Sequence, residues 1–196
     1  MKSSSKKEII YDTATALFAQ HGFHSIGIDR IISESNVAKM TLYKYFPSKE
    51  HLIESILIRR DEQLRSSIIQ TMDEATTPLE KIKSIFLWYE KWFEQPNFYG
   101  CMFIKASEEF SQETPKIRKI SQDHKQWLTD VVENLLISIE VKHPPSLANF
   151  IMVTLDGLTV NANIFAYEGG MKLDSSWSFV ENLIVQSKTT NFKNSD

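Results

Sequence analysis

The stretch KMTLYKYFPSKEHL, Lys39 to Leu52, holds three lysines, two tyrosines and a proline within fourteen residues. A helix that opens near Ala38 must end at Pro47, because proline lacks a backbone donor and clashes with the preceding turn. Ser48 then stands where a helix cap belongs, and Leu52, Ile53, Ile56, Leu57 and Leu64 follow at helical spacing. Upstream, Ile28, Ile31 and Ile32 mark a short helix that stops before Asn36, a residue type that tolerates the left-handed backbone of a tight turn. Further back, Ser5 and Glu8 fit a capping box, Ile10, Ala14, Leu17 and Phe18 carry the apolar face, and His21-Gly22 supplies the stop. The rhythm is three helices of about 16, 8 and 8 residues and then a long one.

Two short helices joined by a tight turn, the second polar and basic, are what helix-turn-helix DNA binding requires. Ile31, Ile32, Val37 and Leu42 pack inward against Leu17 and Phe18, leaving Lys39, Met40, Thr41, Tyr43 and Lys44 on or near the outer face. A major groove admits one helix, where Lys and Thr hydrogen-bond base edges and Met40 meets a thymine methyl. Tyr45 and Lys49 are placed for phosphates, which set register without reading sequence, and Arg30 in the second helix is a further candidate. Ser48 aims the fourth helix, whose positive dipole end favours a phosphate. A solvated lysine-rich face beside core tyrosines explains the same composition, and periodicity alone leaves both readings open.

The residues themselves carry a resemblance. From Ala14 to Leu52 the chain is similar to the DNA-binding domain of the TetR family of bacterial transcriptional regulators. The match runs through Ala16-Leu17-Phe18, Gly22-Phe23, Ile31 and Val37 to the continuous run Thr41 to Leu52. The remainder resembles the family only in length, helical character and position. Three departures stand out. Ile26-Gly27 replaces a hydroxyl pair before the second helix, so one phosphate contact is lost, although Gly27 still serves as a cap. Asn36 stands where the family turn has glycine. Met40 replaces a residue that is commonly glycine, which makes the base-reading face bulkier.

The second half repeats the helical punctuation at greater length. Thr77-Pro78-Leu79-Glu80 combines a capping box with proline at the first helical position, for a helix to about Glu94. Thr114-Pro115 opens another to about Glu140. Ser146, after Pro144-Pro145, caps a nearly continuous apolar helix to Tyr167, which Gly169-Gly170 ends. Asp174 caps a last helix to about Lys188, and the tail TTNFKNSD is frayed. Val, Ile and Thr show no strand alternation, so the fold is all-α. Residues 1–52 form a helix-turn-helix domain, a fourth helix over 48–73 bridges, and 53–196 form the body.

The 196 residues are 42% hydrophobic and 24% charged, as in globular proteins. The formal charge of −3 is unevenly spread: residues 1–52 carry seven Lys/Arg against five Asp/Glu, and the remainder is acidic. Cys101 is the only cysteine, which excludes an intramolecular disulfide and fits a reducing compartment. No apolar run approaches the roughly 20 residues a membrane span needs, and no signal-peptide pattern opens the chain. The expectation is a cytoplasmic protein without membrane contact.

The resemblance implies a homodimer on a double-stranded, near-palindromic DNA operator, usually as a repressor, released by a small effector bound in the body. The stretch LANFIMVTLDGLTVNANIFAY is apolar around more of its circumference than one core face needs, which suits a dimer interface. Trp88, Trp92, Phe103, Trp127 and Phe165 are candidates to line a site for an apolar or aromatic effector, against the plain alternative of core packing. Glu108, Glu109 and Asp156 are candidates for a cationic one. A DNA-bound scaffold that recruits a protein partner without any effector is the competing reading. The five histidines lack metal-ligand spacing, no cofactor motif occurs, and no nucleophile with a matching base is assembled, so no catalytic or metal site is expected. Cys101 is either a redox-sensitive thiol at a helix start or a buried structural one.

Overall fold

The structure, a computed structural model, describes residues 5–110, 114–165 and 173–188. Among them are nine helices: α1 (Lys6–His21), α2 (Ile28–Ser35), α3 (Lys39–Tyr45), α4 (Lys49–Asp73), α5 (Pro78–Phe93), α6 (Met102–Glu109), α7 (Pro115–Ser138), α8 (Pro144–Ile164) and α9 (Leu173–Gln186). The all-α expectation holds, with one isolated antiparallel bridge between Val141 and Lys188. No helix of the described residues is long and apolar enough to cross a membrane.

The chain divides into two compact units. The first comprises Met1–Leu64 and Cys101–His124, the second Arg65–Gly100 and Lys125–Asp196. The first therefore takes in α6 and the opening of α7 as well as the N-terminal helices, an association of distant segments that reading along the chain does not suggest.

In the first unit, α1, α2 and α3 close around Leu17, Phe18, Phe23, Ile26, Ile31, Leu42 and Phe46, all buried. Each such side chain contributes about 1.5–3 kcal/mol on leaving water. Ser5 caps α1 by accepting from the Glu8 N–H at 3.3 Å. Only that half of the expected capping box forms, because the Glu8 carboxylate accepts from Arg59 at 2.6 Å instead. Tyr11 reaches across to α4, donating its hydroxyl to the Ile56 carbonyl at 3.2 Å, and the Arg59 guanidinium lies 4.2 Å from its ring centroid.

In the second unit, α5, α8 and α9 pack around Ile82, Ile85, Phe86, Leu128, Val132, Ile151, Leu155, Val180 and Ile184. The capping box at Thr77 and Glu80 is complete, with Pro78 at the first helical position. Two caps are corrected. His143, in the left-handed conformation, precedes α8, and Pro144-Pro145 occupy its first turn, so Ser146 lies inside the helix. Asp174 likewise sits in the first turn of α9 after Leu173. The expected stop at Tyr167 and Gly169-Gly170, and the TTNFKNSD tail, lie outside the described residues. Buried Ala148, Ile151, Leu155, Leu158 and Ala162 form one side of α8. Phe150, Val153, Val160 and Ile164 form the other and are exposed, Val153 by 70%.

Candidate nucleic-acid interface

The turn between α2 and α3 rests on Asn36, at φ 52° and ψ 42°, the left-handed conformation that asparagine enters at low cost. Gly27 occupies the N-cap of α2 and Ala38 that of α3, each without a side-chain acceptor. Val37 and Leu42 anchor α3 from beneath, so its remaining side chains face outward. Met40 is 82% exposed and Tyr43 39%, with Lys39 and Lys44 beside them. Thr41 and Tyr45 are half-buried. A basic face with one long apolar side chain standing free of the core matches what a major groove accepts.

Charge on this face is held loosely. Lys39 pairs with Asp29 at 3.2 Å, and Arg30 with Glu34 at 2.9 Å while its guanidinium lies 3.3 Å from His21 Nε2. Such exposed pairs are worth about 0–1 kcal/mol, so a phosphate displaces the carboxylates at little cost. Ser48 accepts from the His51 N–H at 3.1 Å and caps α4. Lys49, one residue on, is half-buried. Burial pulls its ammonium below the ordinary lysine range, against the opposing charges of Glu50 and Glu109. An anion placed there relieves that cost.

One support was invisible along the sequence. The C-terminal end of α1 and the following turn are gripped by α6. Lys105 Nζ donates to the Ala19 carbonyl at 2.6 Å, and Glu109 accepts from the backbone N–H groups of Phe23 and His24. Phe110 packs its ring against Phe23 and His24. Only the four-residue spacing of Lys105 and Glu109, which puts them on one helix face, hints at joint action. Nearby, buried His124 pairs its Nδ1 with Asp61 at 2.7 Å and stacks flat on Phe103, 3.9 Å between centroids.

Of the aromatic candidates for an effector site, Trp88, Trp92 and Trp127 pack against the core of the second unit. Trp88 and Trp92 lie 5.5 Å apart on α5, with the Trp88 indole donating to Ser67 at 2.8 Å. Trp127 lies beneath the Arg65 guanidinium, and Phe165 is exposed at the end of α8. Phe103 belongs to the first unit, fully buried against His124. Of the carboxylates, Glu109 is engaged at the α1 turn, Asp156 pairs with Lys125, and Glu108 is exposed. Cys101 is buried at the N-cap of α6. No group of three metal-ligating side chains occurs among the described residues.

Residues 10–56, which hold the turn, the exposed α3 face and the capped start of α4, match the family model of bacterial regulatory proteins, tetR family. These residues carry the DNA-binding domain of the TetR family. The chain is 29% identical over 132 residues, 66% of its length, to the HTH-type transcriptional regulator YuxN of Bacillus subtilis, of which the match covers 45%. It is 34% identical over 85 residues to LmrA, another HTH-type regulator of that organism, covering 43% of this chain and 45% of LmrA. The matched stretches thus span less than half the length of these curated relatives. The fold of the whole chain is that of a TetR-family regulator from Streptomyces coelicolor, with a TM-score of 0.82 at 23% identity over 94% of this chain and 96% of the other.

Proposed function

We propose that this TetR-family chain is a homodimeric transcriptional regulator, acting as a repressor, that binds a near-palindromic DNA operator and is released by a small apolar or aromatic effector. The observation that carries the reading is the free outer face of α3, where Lys39, Met40, Tyr43 and Lys44 stand exposed over a helix anchored by Leu42. Lys39, Met40, Thr41 and Lys44 read base edges. Tyr43 lies at the groove edge. Tyr45, Lys49 and Arg30 hold phosphates. Met40, long and unbranched where relatives tend to be small, sets the operator preference.

Dimerisation is supported by α8. Phe150, Val153, Gly157, Val160 and Ile164 follow at alternating steps of three and four, one continuous stripe in the manner of a helix–helix seam. The four side chains are 45–70% exposed, and apart from its chain neighbours and the helix's own backbone no atom lies within 4 Å of where a Cβ on Gly157 would stand. Exposed Phe179 and Leu183 on α9 extend the apolar surface. Covering it with the same surface of a second copy gives an isologous contact and two reading heads.

The test is a gel-shift titration of duplex DNA. Tyr43→Ala and Lys49→Ala each weaken binding by about 1 kcal/mol or more, and Lys49→Ala also lowers the slope of affinity against salt, as loss of a phosphate contact must. Undiminished binding by both variants contradicts the interface. A thermal-shift screen addresses the effector: a compound that raises the melting temperature and releases DNA supports the sensor.

A further inference from the structure

Four of the six methionines lie among the described residues, and burial separates them. Met102 and Met152 are 6% exposed, and Met72 is half-buried against the core of the second unit. Met40, the second residue of α3, is 82% exposed. Its helix is anchored through fully buried Leu42, so the Met40 thioether stands outside the core, where an oxidant in solution reaches the sulfur directly. Cys101 is buried at the N-cap of α6. Met40 is thus the most exposed sulfur-bearing residue among those described.

Oxidation of methionine is a two-electron oxygen transfer. The sulfur lone pair attacks one oxygen of hydrogen peroxide, and an S–O bond forms as the O–O bond breaks. The sulfur-bound hydroxyl passes its proton to the departing hydroxide, leaving sulfoxide and water. The product is polar where the thioether was apolar, and methionine sulfoxide reductases return it. In Met102 or Met152 that change disrupts packing, but at Met40 it leaves the core untouched. It falls instead on the outer face of α3. There an apolar contact to a thymine methyl is exchanged for a hydrogen-bond acceptor that the methyl cannot serve, and whose partial negative charge enters the field of the phosphates. We propose that Met40 is a reversible oxidation site through which a peroxide-class oxidant weakens operator binding without unfolding the chain, an inference that rests on the reading of α3 as the DNA-contacting helix.

The full chain is treated with hydrogen peroxide, and the tryptic peptide MTLYK, residues 40–44, reports the added oxygen by mass. Met40 is expected to oxidise ahead of Met72, Met102 and Met152, with circular dichroism unchanged. Affinity for the duplex that the untreated chain enriches from a random library is expected to fall about tenfold in step with that peptide, the worth of one lost base contact. Reductases for both sulfoxide epimers, supplied with thioredoxin, are expected to restore it, and dithiothreitol alone, which reverses only cysteine products, is not. Met40→Leu, compared with itself before and after peroxide, is expected to lose the response, and the reductase arm serves if that variant binds no duplex. Full oxidation of the 40–44 peptide with undiminished affinity overturns the proposal. So does an equal loss in Met40→Leu, which places the sensitive group elsewhere. An untreated chain that enriches no duplex fails before any oxidant is added, and overturns the DNA reading together with this inference.

Discussion

The Glu109 carboxylate accepts hydrogen bonds from two successive backbone N–H groups, Phe23 at 2.9 Å and His24 at 2.6 Å. These donors follow the end of α1 and lead into α2, where no helix of their own satisfies them. With Lys105 on the Ala19 carbonyl, α6 answers both a free acceptor and two free donors at one joint. Charge-assisted bonds of this kind are worth about 1.5–3 kcal/mol. Glu109→Ala is therefore expected to lower unfolding free energy by about that amount in urea titration, and Glu109→Gln by less, since the amide retains one acceptor. Equal stability of all three proteins contradicts the joint.

Gly22 makes that approach possible. It sits at φ 83° and ψ 168°, a conformation open almost only to glycine, and a Cβ built there would stand 2.7 Å from Glu109 Oε1. Gly22→Ala is expected to cost about 1–3 kcal/mol from backbone strain, and more through displacement of Glu109. Because the two sites touch, the double variant Gly22→Ala/Glu109→Ala is expected to cost less than the sum of the singles. Strict additivity in the cycle contradicts the contact.

Much of this was legible from local chemistry. Asn36 in the turn, Ser48 as a cap, Gly27 as a cap without an acceptor, and Thr77 with Glu80 each declare a backbone need through one side chain. The buried face of α3 followed from spacing. What escaped was non-local: Glu109 reaches residues 86 and 85 positions away, and nothing at either end announces the other. Ser146 failed as a cap because the two prolines ahead of it already lack the donors a cap would serve. The aromatic residues could not be sorted into lining and core, because a tryptophan at helical spacing satisfies both roles. Phe103 illustrates this, fully buried and stacked flat on His124.

Acid stability carries a signature at Glu80. Hydrogen bonds from the Thr77 backbone first, then from the Thr76 and Thr77 side chains, hold its carboxyl below the usual glutamate range. A depressed folded-state value means the group contributes stability above its unfolded pKa and loses it as pH falls through the folded one. Glu80→Gln is expected to remove that part of the acid dependence, read as melting temperature against pH from neutral into the acid range. A variant whose profile parallels the parent throughout contradicts the assignment.

The exposed stripe on α8 makes a separate claim. Val153→Glu places a charge on its most exposed apolar position without touching the buried face of the helix. Sedimentation is expected to show monomers, with helical content by circular dichroism unchanged. Operator affinity falls with the dimer, since each half-site is then bound alone. A Val153→Glu protein that remains dimeric moves the interface elsewhere.

The central claim, that α3 reads DNA sequence, is met most directly by selecting duplexes from a random library with the full-length chain and with its Lys39→Ala/Lys44→Ala variant. The parent is expected to enrich an inverted repeat with half-sites about one helical turn apart, and the variant to lose that enrichment. Recovery of the same repeat by both proteins, or of no repeat by the parent, would contradict it.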